Sequence, residues 1–178
     1  QMCIRDSNNS ALRKLKGKKM TYEARTNIID SYYKINDSDK AVDDSITLKV
    51  GAKVMLAVNL AKDGVYNGQI GIVKELNEES VLVDFDGKEV EISAYTWVIN
   101  AYELFDSKPR LVEIARYTQI PLKLAFAITV HKSQGQTFEK AIVHPNLWQA
   151  GQLYVALSRV AKSDGLFLYC LLYTSPSP

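Results

Sequence analysis

Residues 121–159 read PLKLAFAITVHKSQGQTFEKAIVHPNLWQAGQLYVALSR, and the fold turns on how this stretch is read. An apolar run, 122–130, leads into a polar knot, His131-Lys132-Ser133-Gln134-Gly135-Gln136-Thr137. A second apolar run, 138–143, follows it. The run–knot–run pattern predicts two buried parallel strands with a functional loop or short helical turn between them. The first run equally fits the start of a buried helix, because periodicity alone does not separate the two. Further on, Leu153, Ala156, Leu157 and Val160 recur at helical spacing. They predict a short amphipathic helix over 149–160 that carries Arg159 near its C-terminal end.

The residues of the knot suit phosphate work. Gly135 lets a backbone come close to a ligand. Lys132, His131, Ser133, Gln134 and Thr137 supply donors that match phosphate or sugar oxygens. A lone KSQG would be no more than a solvated loop. Two polar clusters, each set against an apolar run, point past that reading. Lys132-Ser133 is not a Ser-Lys nucleophile pair, and nothing else in the chain suggests acyl chemistry.

HKSQGQTF at 131–138, followed by YVALSR at 154–159, resembles motifs V and VI of superfamily 1 helicases, specifically the superfamily 1B group of Pif-type and RecD-like DNA helicases. The lead-in PLKLAFAIT and the pair Gly151-Gln152 are similar to that group as well. The likeness reaches back to about Leu12. It implies an α/β fold: part of the second RecA-like lobe of a P-loop NTPase-type helicase, with an inserted SH3-like small β-barrel and a β-hairpin. It implies that Arg159 is the arginine finger, a planar fork that reaches the γ-phosphate across the cleft between two lobes. Gly135, Gln136 and Thr137 would face the nucleotide. Thr129, His131, Lys132 and Gln134 would track single-stranded DNA through its phosphates.

The same resemblance implies ATP and Mg²⁺, bound mainly by an N-terminal RecA-like lobe of the same longer chain. Its DNA partner would be a single strand or a junction of single and double strands, with 5′ to 3′ movement. No G-x-x-x-x-G-K-[ST] phosphate loop and no acidic Mg²⁺ box after a strand occur in the sequence. The stretch alone is therefore expected not to hydrolyse ATP. A rival reading is a non-catalytic nucleic-acid-binding barrel with a degenerate RecA-like remnant. A third is a helicase half within a conjugative relaxase or a RecD-type nuclease subunit.

Composition sets wider bounds. The chain has 178 residues, 47% of them apolar and 24% charged, as in ordinary globular proteins. A formal net charge of +2 means that any basic surface for nucleic acid must be local. No apolar stretch approaches the ~20 residues of a membrane span, so no membrane partner is expected. QMCIRDS at 1–7 and CLLYTSPSP at 170–178 resemble translated adapter read-through and are expected to be non-native. The only cysteines, Cys3 and Cys170, fall there. The rest has no disulfide framework and no Cys-based metal site, in agreement with a reducing cytoplasm, and a bacterial one is expected.

Between these ends the chain reads in blocks. Residues 8–44 are expected to open the second lobe and its linker. They hold a helix over 8–16 with Ser10 as a possible cap, Gly17 as its stop, and a strand over 20–24. Arg13, Lys14, Lys16, Lys18 and Lys19 crowd together, and a solvated basic face is the preferred reading over a phosphate contact. Residues 27–44 read as loop or irregular helix.

Residues 45–93 read as five short strands, which suggests a small barrel. VYNGQIGIV and VDFDGKEVEI resemble the insertion called domain 2B. The pair Asp86-Gly87 predicts a type I′ hairpin. A two-residue loop pairs Phe85 with Lys88, Val83 with Val90 and Val81 with Ile92, and leaves Asp84 opposite Glu89. Residues 94–120 read as a long hairpin with a turn at 106–110. Trp97 is expected in the core, and Arg116, Tyr117 and Gln119 are candidates to face nucleic acid. Pro121 should mark the return into the lobe, 121–169.

Overall fold

The computed structural model describes residues 2–30, 32–36, 39–105, 108–144 and 151–169. Residues 31, 37 and 38 of the expected 27–44 loop, the turn residues Asp106 and Ser107, Gln149, and the 170–178 tail lie outside these residues. Two compact units divide the chain, 1–127 and 128–178.

The first unit begins with helix α1, Met2–Lys14. It starts earlier than the expected 8–16, and Ser10 lies inside it rather than capping it. Asn8 and Leu12, one turn apart, are buried. The Asn8 amide is satisfied by one backbone unit: Nδ2 donates to the Ala127 carbonyl at 2.9 Å, and Oδ1 accepts the Ala127 N–H at 2.8 Å. Beyond the helix, Lys49 Nζ donates to the Leu15 carbonyl at 2.7 Å, satisfying an acceptor just past the helix end.

Strands β1 (Lys19–Glu23) and β3 (Ser45–Lys49) form an antiparallel pair. Between them, β2 (Arg25–Ile28) falls in a region read partly as loop. Next come β4 (Lys53–Leu56), β5 (Ile70–Leu76), β6 (Ser80–Phe85) and β7 (Lys88–Ser93). Two long strands follow, β8 (Tyr95–Phe105) and β9 (Lys108–Gln119), paired as the expected hairpin. The unit's last strand is β10, Leu122–Leu124.

A five-stranded sheet has the order β10-β4-β5-β6-β7, and a three-stranded sheet the order β2-β9-β8. The five-stranded sheet is open, with β10 at one edge and β7 at the other, so a closed small barrel is not confirmed.

The β6–β7 register follows the sequence count: Phe85 faces Lys88, Val83 faces Val90, and Val81 faces Ile92. Asp86 and Gly87 both have positive φ, 53° and 90°, as a type I′ turn requires. Val81, Val83, Phe85, Val90 and Ile92 are all buried. They share one core with Leu48, Val54, Leu56, Val73 and Leu122. On the other face Asp84 does lie opposite Glu89, and Lys74 Nζ reaches Asp84 Oδ2 at 3.0 Å. The ammonium and the Gly87 N–H hold the Asp84 carboxyl below its ordinary pKa.

Three expectations need correction. The run 122–130 does not form a parallel strand with 138–143. Only its first three residues are strand, and they pair antiparallel with β4, Leu122 opposite Leu56. Tyr117 and Gln119 do not face a ligand, for both are buried. The Tyr117 hydroxyl donates to the Val42 carbonyl at 3.0 Å. Gln119 Nε2 donates to the carbonyls of Tyr22 and Asp44 at 3.1 and 2.8 Å, and its Oε1 accepts the Ile120 N–H at 2.8 Å. Arg116 is exposed but pairs with Glu113 three residues earlier. Trp97 packs against the core, 5.7 Å from the Tyr117 ring and 5.0 Å from Tyr95.

The second unit is small. β11 (Ala141–Val143) and β12 (Leu166–Leu168) pair in parallel, Ala141 opposite Leu166. The second apolar run is thus a parallel strand, with a downstream partner. Between them lies helix α2, Gln152–Leu157, within the predicted span. Ala156 is its buried residue, whereas Leu153 is exposed.

Candidate nucleotide and nucleic-acid site

The polar knot lies wholly in the second unit. His131–Ser133 form one 3₁₀ turn. Ser133 closes it: its N–H donates to the carbonyls of Thr129 and Val130, both at 3.1 Å, and its hydroxyl donates to Val130 O at 2.6 Å. Ser133 is buried by these bonds, so its role is to build the turn rather than to meet a ligand. Thr129 Oγ1 accepts the Lys132 N–H at 3.3 Å. Gln136 Nε2 donates to the Lys132 carbonyl at 3.1 Å, tying the two ends of the knot together.

Local bonds of this kind leave His131, Lys132, Gln134, Gly135 and Thr137 exposed along one turn. Gly135 has φ of 77°, a conformation that favours glycine, and a Cβ there would meet nothing within 4 Å. The space beside its backbone is open, as close approach of a ligand requires.

Arg159 follows α2 after Ser158. Its Nε donates to the Val155 carbonyl at 3.2 Å and its Nη2 donates to Ser158 Oγ at 3.1 Å. Ser158 Oγ in turn donates to Val155 O at 2.9 Å. The guanidinium therefore lies along the C-terminal end of its own helix, where a cation is favoured. With two of its five N–H groups so engaged, it keeps others for a ligand. Among the described residues no carboxylate pairs with it.

The two clusters meet through the backbone. Phe138 and Val160 form a parallel bridge. The Phe138 N–H donates to Arg159 O at 2.8 Å, and Ala161 N–H donates to Phe138 O at 2.9 Å. Thr137 and Arg159 are each the residue just before a member of that bridge. The side-chain bonds of Arg159 run to Val155 and Ser158 rather than to 135–137.

Two residues escaped the sequence reading. Ser158 orients Arg159, and its only signal was adjacency. Gly165 sits where a Cβ would be 1.8 Å from the Glu139 carbonyl oxygen. Asp164-Gly165 reads as a turn pair and hides that packing demand. Among the described residues no group of three or more His, Cys, Asp or Glu side chains could hold a metal ion.

The family likeness drawn from the sequence can be set beside known proteins, and the comparisons agree with it at the level of the family. No family model matches the chain. The chain is homologous to DNA helicases of the Pif1 type, consistent with a C-terminal part of a superfamily 1B helicase. It is 31% identical to the ATP-dependent DNA helicase Pif1 of Campylobacter jejuni, over 93% of this chain and 40% of that protein. It is 35% identical to the ATP-dependent DNA helicase PIF1 of Danio rerio, over 90% of this chain and 25% of the relative.

Among solved structures, Pif1 helicase from Bacteroides in complex with ADP-AlF3 and single-stranded DNA superimposes with a TM-score of 0.81. That match has 37% identity and covers 95% of this chain and 38% of the other. The chain thus spans two-fifths or less of the length of each of these. Relatives come from bacteria and vertebrates alike, so the likeness does not single out a bacterial source. No described helix is long and apolar enough to cross a membrane.

Proposed function

We propose that this chain is the C-terminal part of an ATP-dependent DNA helicase and supplies residues that act on the ATP of a nucleotide-bearing partner lobe and on single-stranded DNA. In this reading the second unit belongs to the second RecA-like lobe, and the open sheet of the first unit is an SH3-like insertion. Arg159 swings from Val155 and Ser158 to the γ-phosphate, where its fork offsets charge in the transition state. Gly135, Gln136 and Thr137 line the nucleotide side. Thr129, His131, Lys132 and Gln134 hold the phosphates of a single strand or of a single–double strand junction. ATP and Mg²⁺ would be held mainly by the N-terminal RecA-like lobe. Movement is 5′ to 3′.

The observation that supports this most is the bond from Phe138 N–H to Arg159 O, which joins the two motif segments next to Thr137 and at Arg159. In the longer protein, Arg159→Ala should lower DNA-stimulated ATP turnover by about 10³-fold or more. The 178-residue chain alone should show no such turnover. An Arg159→Ala protein with undiminished turnover would overturn the finger. A phosphate loop absent from the upstream sequence would favour the non-catalytic binding module instead.

A further inference from the structure

The basic crowd at the start of the first unit is left unused by the function above. Arg13 and Lys14 end α1, and Lys16 and Lys18 flank the turn at Gly17. Lys19 opens β1, where its register partner is Lys49 at the end of β3. Directly opposite residues of an antiparallel pair share a face, so two lysines leave the sheet from facing positions. The rest of that face is polar: Thr21 and Thr47 share a hydrogen bond of 2.9 Å, and Ser45 Oγ donates to Glu23 Oε1 at 2.8 Å.

Like charges placed opposite each other destabilise a sheet. The same unit shows what compensation looks like, for the Asp84–Glu89 pair has Lys74 at 3.0 Å. Among the described residues the Lys19–Lys49 pair has no such counter-ion. Among the described residues no carboxylate pairs with Lys19, Lys49, Lys16, Lys18, Lys14 or Arg13. Lys49 Nζ is turned to the Leu15 carbonyl, which anchors the α1–β1 turn beside it. Five exposed cations thus fall within residues 13–19, the stretch to which Lys49 is bonded at Leu15, in a chain whose net charge is only +2.

We infer that this face is a second phosphate-binding surface, which takes the sugar–phosphate backbone of DNA without reading its sequence. The anion missing from the sheet is the backbone phosphate, and several point charges without a base-stacking platform give affinity rather than choice. The inference stands apart from the roles given to the second unit.

Binding of the whole 178-residue chain to a fluorescein-labelled oligo(dT) and to a labelled duplex, followed by anisotropy across a salt series, tests it. The triple variant Lys16→Gln, Lys18→Gln, Lys19→Gln should bind at least one of these probes roughly 10-fold more weakly, and for the single strand lose about 2 from the slope of log K against log salt. The matching triple arginine variant should bind as the parent does. The probe that responds identifies the strand form. Lys19→Gln alone should raise the melting temperature, because it removes an uncompensated pair. Unchanged affinity and slope on both probes would overturn the inference, and so would a melting temperature that falls. Weakening by Lys132→Gln but not by the triple variant would sink this surface and leave the reading of the second unit standing. The reverse result would do the opposite.

Discussion

The Phe138 N–H donates to the Arg159 carbonyl oxygen across 2.8 Å, although the two lie in segments separated by a helix. That bond fixes where the arginine leaves the backbone. Ser158 and Val155 then fix where its guanidinium rests. The resting position is held by neutral acceptors alone, so an anion can outcompete them.

Gly165 should be sensitive to the smallest side chain. A methyl group there would lie 1.8 Å from Glu139 O, and backbone rather than a movable side chain is what it meets. Gly165→Ala should cost about 1–3 kcal/mol in urea unfolding. It should also speed hydrogen exchange at the Phe138 amide. A substitution without effect on either would mean that the 163–165 turn is not packed against 139.

Gly87→Ala tests a different glycine requirement. Nothing lies within 4 Å of the would-be Cβ, but φ is 90°. Only backbone strain is added, expected at about 1–2 kcal/mol. Thermal unfolding should record that loss with the β6–β7 pairing intact by NMR.

Gln119 is a buried amide whose donors and acceptor all serve main-chain groups from three separate segments. Gln119→Met keeps the volume and removes the bonds. The stranded carbonyls of Tyr22 and Asp44 should cost about 1–3 kcal/mol. Equilibrium denaturation at constant m-value is the measurement.

Acid should act on β6 at Asp84. The Asp84 carboxyl is held low by Lys74 first and by the Gly87 N–H second. A depressed carboxyl contributes stability above the unfolded pKa of ~3.9 and loses it as pH falls through the folded value. Lys74→Met should move the Asp84 midpoint up toward the ordinary value in a carboxyl NMR titration. A midpoint that stays put would leave the turn amide as the sole cause.

Legibility differed from place to place for physical reasons. The β6–β7 register could be counted because a two-residue turn and strict alternation fix each other within fourteen residues of chain, 80–93. The run 122–130 could not be placed, because apolar residues state a need for burial and not the identity of the partner. Leu122 found it in Leu56, and the strand ended at Leu124. Tyr117 and Gln119 looked available for a ligand because their partners, Val42, Tyr22 and Asp44, are far away in sequence.

By itself the sequence determined the local chemistry: which turns need glycine, which strands alternate, and which polar knot and arginine stand beside apolar runs. Tertiary structure alone decided which strands pair, which polar side chains are spent on distant main-chain groups, and that 138 and 159 share a hydrogen bond. Turn geometry and alternation are short-range and written in neighbouring residues. Pairing across long separations is settled by competition among many apolar surfaces, and only the folded chain resolves it.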